Sequence, residues 1–193
     1  MRFHAGKILI ACTLSACALT VLSAQEATPH STRMAPAAPP TFKQVFVNRL
    51  DDTEQKLVGL AEAMPQEKYS WRPMEGVRSV SEVFMHEAGA NYGFMAMMGV
   101  KPPAGVDRNA EKTVTEKAKV VEALKASFAH VRDAVNGFSD ADMAKTAKMF
   151  GMTLTYEEAL FIMANHMHEH LGQAIAYARM NGIVPPWSKG KES

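Results

Sequence analysis

The chain has 193 residues, 47% of them hydrophobic, and its 21 Lys+Arg against 20 Asp+Glu give a formal net charge of +1. That balance lacks the basic stripe on which nucleic-acid binding depends, so no nucleic-acid partner is expected. Both cysteines, Cys12 and Cys17, lie in an N-terminal leader, which leaves the remaining domain without an internal disulfide, a thiolate nucleophile or a Cys-ligated metal.

Residues 1–24 read as a secretory signal peptide: Arg2 and Lys7 make a basic start, and Ile8 to Ala24 is almost wholly apolar and uncharged. Cleavage after Ala24 is preferred, although Leu22 is bulky for its place before the cut. Leu14-Ser15-Ala16-Cys17 offers a second reading, a lipobox that would leave Cys17 lipidated on a membrane. Against it, the apolar run continues through Ala18-Leu19-Thr20-Val21-Leu22. Export, periplasmic or secreted, is therefore expected, with a lipid anchor at Cys17 as the alternative. Loss of the leader takes Lys+Arg from 21 to 19 against 20 Asp+Glu, a net charge of −1. Residues 25–41 hold four prolines among Ala, Ser and Thr and read as an unstructured tether. Residues 42–187 suit one domain with its own core, and 188–193 form a polar tail.

Four amphipathic helices are expected in that domain. The first runs from about Thr41 to Met64, with Phe42, Val45, Phe46, Leu50, Thr53, Leu57, Leu60 and Met64 recurring at helical steps before Pro65. The second opens at Ser79-Val80-Ser81-Glu82, a capping box, with an inward stripe of Val83, His86, Ala90, Phe94 and Met97. Thr113-Val114-Thr115-Glu116 reads as the box that opens the third, which runs through Val121, Leu124, Phe128 and Val131 to about Phe138. The fourth opens at the Thr155-Tyr156-Glu157-Glu158 box and stops at Asn181-Gly182, a left-handed terminus. Trp71-Arg72-Pro73 and Pro102-Pro103 mark non-helical linkers. No segment alternates with period two over a useful length, so the expected fold is all-α, a four-helix bundle.

On the fourth helix Ala159, Ile162, Met163, His166, His170, Ala174 and Tyr177 make one stripe. His166 and His170, four residues apart, therefore project from one face at a spacing a divalent metal can bridge. His86 falls on the inward stripe of the second helix. Each of the three taken singly reads as a core histidine bonded to a neighbour; three together favour a shared metal, because buried imidazoles need partners at both nitrogens. His168 points about 200° away from His166 and is expected at the surface, with a second ion at a partner surface as the lesser alternative. His130 lies off its helix's apolar stripe and is expected in solvent; His4 and His30 fall in the leader and tether. Met95-Ala96-Met97-Met98 allows a copper(I) reading, but methionines at helical spacing more often fill cores. No Cys-x-x-Cys-His run is present to attach haem.

Gly76-Val77-Arg78-Ser79-Val80 with Glu82-Val83-Phe84-Met85-His86 and Ala90-Asn91-Tyr92 resembles the second-helix region of the DinB-like (YfiT-type) metalloenzymes. Asn165-His166, His170, Gly172-Gln173 and Tyr177-Ala178-Arg179-Met180-Asn181-Gly182-Ile183 resemble the same family's fourth helix. The resemblance covers about Phe42 to Trp187. It implies a four-helix bundle whose metal is held by the residues standing here as His86, His166 and His170, and it points toward homodimers. Many relatives carry His where this chain has Glu169 and Arg where it has Leu171, neither of them a ligand.

Three neutral imidazoles with a coordination position left open describe a catalytic rather than a structural site. Zinc is the first expectation, with nickel, iron(II) or manganese open. Such a site offers Lewis-acid polarisation or activation of water or a thiol. Relatives of the fold include transferases and isomerases dependent on low-molecular-weight thiols, but export weakens that reading because reduced small thiols are mainly intracellular. A metal-dependent hydrolase of a small-molecule substrate is preferred, and a non-catalytic metal- or ligand-binding bundle stays open. Glu169, about 60° from His166 on the helix, is the candidate general base, or else an exposed carboxylate. Gln173 orients a ligand or substrate, or makes a structural hydrogen bond; Tyr177 is the other inward polar group. Phe84, Met95 and Met98, placed beside the inward stripe, suggest an apolar surface that a second copy would cover, or else pack under the proline-rich loop at Lys101 to Val106.

Overall fold

The computed structural model describes residues 38–190. The leader, its cleavage site, the Cys17 alternative and most of the tether lie outside the described residues, as do 191–193. The elements are α1 (Phe42–Ala63), α2 (Val80–Met97), α3 (Ala110–Thr113), α4 (Lys117–Gly137), β1 (Thr146–Met149), β2 (Met152–Thr155) and α5 (Tyr156–Met180). Among them α1 and α2 each pack on both α4 and α5. No described helix is long and apolar enough to cross a membrane.

Local caps start three of the four long helices. Thr41 and Gln44 bond each other's backbone N–H at the head of α1, and Ser79 with Glu82 does the same for α2. Thr155 and Glu158 close the same box on α5. Each reciprocal pair satisfies two donors that a helix terminus otherwise leaves free, stabilising it by about 1 kcal/mol. At its far end α5 stops in a left-handed turn: Gly182 sits at φ 73, Gly182 N–H donates to Arg179 and Ile183 N–H to Ala178.

The head of α4 differs from expectation. Thr113–Glu116 is not a cap; Thr113 ends the short α3, and α4 begins at Lys117 with no side-chain bond from its own cap residue. Gln66, in a 3-10 turn after α1, supplies the missing partner. Its Oε1 accepts from Lys117 N–H at 2.7 Å while its amide donates to Thr115 C=O at 3.0 Å. The expectation of no strands is also overturned. β1 and β2 pair antiparallel from Thr146↔Thr155 to Met149↔Met152 across Phe150-Gly151, both at positive φ, 51 and 80. Two left-handed residues match the twist of a tight hairpin. Strands of four residues are too short for alternation to announce them.

The buried face of α2 is turned from the expected one. It runs through Val80, Phe84, Glu87, Asn91, Phe94 and Met95, leaving His86 and Ala90 at its edge. Polar residues in the core hide this periodicity: Asn91 donates to Ser127 at 3.1 Å, and Ser127 donates to the Leu124 carbonyl at 2.9 Å. Phe84, Met95 and Met98 are therefore core residues, exposed by only 2%, 0% and 3%. The apolar surface that argued for a homodimer is not there; of the methionine run, Met95 and Met98 fill the core and Met97 is half-buried. On α5 the expected stripe is buried at Ala159, Met163, Ala174 and Tyr177, but Leu160, Met167, Leu171 and Ala178 are buried beside it, which leaves His166 and His170 at the margin.

Candidate metal centre

That marginal position brings the three histidines together without sealing them in. His86 stands two turns into α2, on a helix whose start is pinned by the Ser79–Glu82 box, and His166 and His170 come from the middle of α5. Their ring centroids lie 5.3 Å (86–166), 4.6 Å (86–170) and 4.5 Å (166–170) apart. One ligand atom from each falls within 4.8 Å of the others. His86 Nε2 and His166 Nε2 are 3.3 Å apart. The side chains of His86 and His166 keep 25% and 22% exposure, so the cluster is half-buried rather than central to the core as expected.

The outward nitrogen of each ring faces an oxygen. His86 Nδ1 is 2.9 Å from Glu111 Oε2, and Glu111 Oε1 accepts from Arg78 Nε at 2.9 Å. Arg78 Nη2 also lies 2.9 Å from His86 Nδ1. A guanidinium cannot accept, so Nδ1 either donates to Glu111 or receives from Arg78. Donation to the carboxylate leaves Nε2 unprotonated toward the cluster, the tautomer a metal needs. His166 Nδ1 lies 3.3 Å from Oε2 of the fully buried Glu87, neither of whose oxygens has a hydrogen bond among the described residues. His170 Nδ1 donates to Gln173 Oε1 at 3.0 Å; Gln173 donates to Tyr177 Oη at 3.2 Å, and Tyr177 donates to the Arg78 carbonyl at 3.1 Å. Trp71 meets the Tyr177 ring edge-on at 5.4 Å and holds it.

Electrostatics agree with this arrangement. Burial lowers the pKa of His170, helped by His166 and His86 and opposed by Gln173 and Glu87, which favours the neutral ring. Burial raises Glu111, but hydrogen bonds from His86 and Arg78 outweigh it and hold the carboxyl below its ordinary range.

Glu169 is exposed and bonds to none of the three imidazoles. His168 is exposed as expected, its Nδ1 donating to the Ala164 carbonyl at 2.8 Å. His130 is half-buried rather than solvated: its Nε2 is buried without a partner among the described residues, its ring lies 5.2 Å from Tyr92, and burial lowers its pKa. Arg78, Glu87 and Glu111 were missed by the sequence reading. Glu87 had a signal, since it falls on the period Val80, Phe84, Glu87, Asn91, Phe94 that marks the true core face. Glu111 had none, because α3 joins the site only through the tertiary fold.

A mostly helical protein with a three-histidine cluster between α2 and α5 is the class that fold and site define. The family model described as the DinB superfamily matches residues 49–174, and the chain belongs to that superfamily. Among solved structures, a DinB-like protein from Bacillus cereus is 19% identical with a TM-score of 0.64, over 75% of this chain and 93% of that one. The DinB-like YjoA from Bacillus subtilis is 18% identical, TM-score 0.59, over 72% and 93%. A conserved protein from Enterococcus faecalis is 16% identical, TM-score 0.58, over 74% and 98%. At these identities the likeness is one of fold. No curated protein matches.

Proposed function

We propose that this chain is an exported metalloprotein of the DinB superfamily, a four-helix bundle that holds one divalent ion through Nε2 of His86, His166 and His170 and hydrolyses a small-molecule substrate. The observation that carries the reading is the set of three oxygens, from Glu111, Glu87 and Gln173, each facing the Nδ1 of one ring. A histidine that serves a metal usually has its second nitrogen engaged in this way. Three separate core histidines would not need their Nε2 atoms aimed at one another. Zinc is the preferred ion; bound with three protein ligands, it supplies Lewis-acid polarisation and lowers the pKa of water at neutral pH. The chain's own contribution is orientation. Glu111 fixes His86, the Gln173–Tyr177 relay fixes His170, and Arg78 ties both to the loop before α2 through its side chain and carbonyl. Export is supported by the basic start and apolar run of residues 1–24.

The test is metal analysis of protein purified without an affinity tag or added metal, followed by turnover of ester, amide and phosphate panels. One ion per chain with hydrolysis is expected. Metal without turnover makes the protein a binding module, turnover only with an added small thiol makes it a transferase, and metal-free protein that takes up no ion ends the proposal. Intact mass of exported protein should show loss of residues 1–24; a lipidated Cys17 establishes the anchored alternative.

A further inference from the structure

We infer that a cavity of about 720 Å3 alongside α2 receives the apolar arm of the substrate, and that the substrate is an uncharged ester. This rests on the hydrolase reading above for its ester, though not for its chamber. The cavity begins at His86 and Glu111 and follows α2 past Gly89, Gly93 and Met97 beneath the loop at Val106. Its volume is that of a small-molecule site, and it touches the histidine centre through His86 and Glu111, while His166 and His170 lie outside its lining.

Two glycines give the cavity its meaning. Glycine is among the poorest helix formers, yet Gly89 and Gly93 lie inside α2. The usual reason, close approach of another element, is absent: a Cβ at either position meets no atom within 4 Å. Neither takes the positive φ that would require glycine. What they leave is open space, and both border the same cavity.

The charges select a neutral guest. Glu111 is satisfied by Arg78 and His86, and Lys119 is paired with Glu116. Asp107 and Arg108, opposite in charge and neither in an ion pair among the described residues, are exposed at the rim. No buried cation lines the wall to hold a phosphate or carboxylate. Tyr92, whose hydroxyl makes no hydrogen bond among the described residues, offers one neutral polar group inside. In hydrolysis a water oxygen bonds to the acyl carbon as its C–O bond to the alcohol breaks. One water proton goes to the alcohol and the other stays with the acid, so no further reactant is needed.

The first test is fluorescence titration of the purified full chain with Nile red, a neutral apolar dye, with and without chelator. One dye per chain is expected, and Gly93→Phe should weaken binding by about tenfold or more with metal content and Tm retained. Gly172→Phe, on an exposed face of α5 outside the cavity, should bind as wild type does. Should Gly93→Phe fail to fold, Gly89→Leu reads the same space. Equal dye affinity in wild type and a folded cavity variant overturns the chamber. The second test is kcat/KM on 4-nitrophenyl acetate, butyrate and octanoate, expected to rise with acyl length in wild type and to level off in Gly93→Phe. Dye binding that responds to the variants while no ester is cleaved upholds the chamber and overturns the ester. Cleavage indifferent to acyl length and to Gly93→Phe upholds a hydrolase and overturns the chamber.

Discussion

Each imidazole can bind a metal through only one nitrogen here, because Nδ1 is already turned to an oxygen of Glu111, Glu87 or Gln173. Replacing His86, His166 or His170 with Ala should abolish stoichiometric metal binding, read by competition with a chromogenic chelator. Glu111→Gln keeps the shape but weakens the acceptor at His86 and should lower affinity by about 10- to 100-fold. Glu169→Ala and His168→Ala, both exposed, should leave affinity unchanged. Glu111 also predicts a pH dependence. Its folded pKa lies below the ordinary 4.5, so its stabilisation is complete above that pH and is lost as pH falls through the lower folded value. The Tm difference between wild type and Glu111→Gln, measured across that window, should therefore shrink toward acid.

Helix ends separate what the sequence discloses from what it hides. The heads of α2 and α5 were legible because Ser79–Glu82 and Thr155–Glu158 cap within three residues, a relation any local reading contains. The head of α4 was illegible for the opposite reason: its cap, Gln66, stands 51 residues before Lys117. Gln66→Ala should accordingly cost about 1 kcal/mol in urea unfolding, the value of a lost cap. Thr113→Ala, which removes only a 3.3 Å bond to the Asn109 carbonyl, should cost less than about 0.5 kcal/mol. Comparable losses in both would restore the Thr113 box. The faces of α1 and α4 were legible in phase as well as period, with Leu50, Leu57, Leu124 and Phe128 buried as expected; that of α2 was not, since Ser81, Glu87 and Asn91 are polar and yet buried. The histidines were found all the same, because a fixed four-residue spacing survives an error in phase.

At the scale of the molecule the cluster joins α2 to α5 through residues 80 apart in sequence. An ion bound only by the native state adds RT ln(1 + [L]/Kd), about 4 kcal/mol at a thousandfold excess over Kd. Chelation at constant pH should then lower Tm by on the order of 10 °C. An unchanged Tm would mean that the rings hold no ion in solution. Of the fold, the four long helices followed from periodicity and capping. The hairpin did not, its strands being four residues long with a Phe at φ 51 in the turn.

Thr155 closes β2 and caps α5 at once, so no connecting residue separates strand from helix. The chain has no slack there. A residue inserted between Thr155 and Tyr156 would separate the cap from the N–H it serves or carry the helix about 100° around its axis, swinging both of its histidines away from His86. The same insertion near Gly105, in the exposed loop between α2 and α3, can be absorbed without turning either helix. A length change on one side of the site thus displaces the histidines themselves, and on the other only reshapes the roof of the cavity.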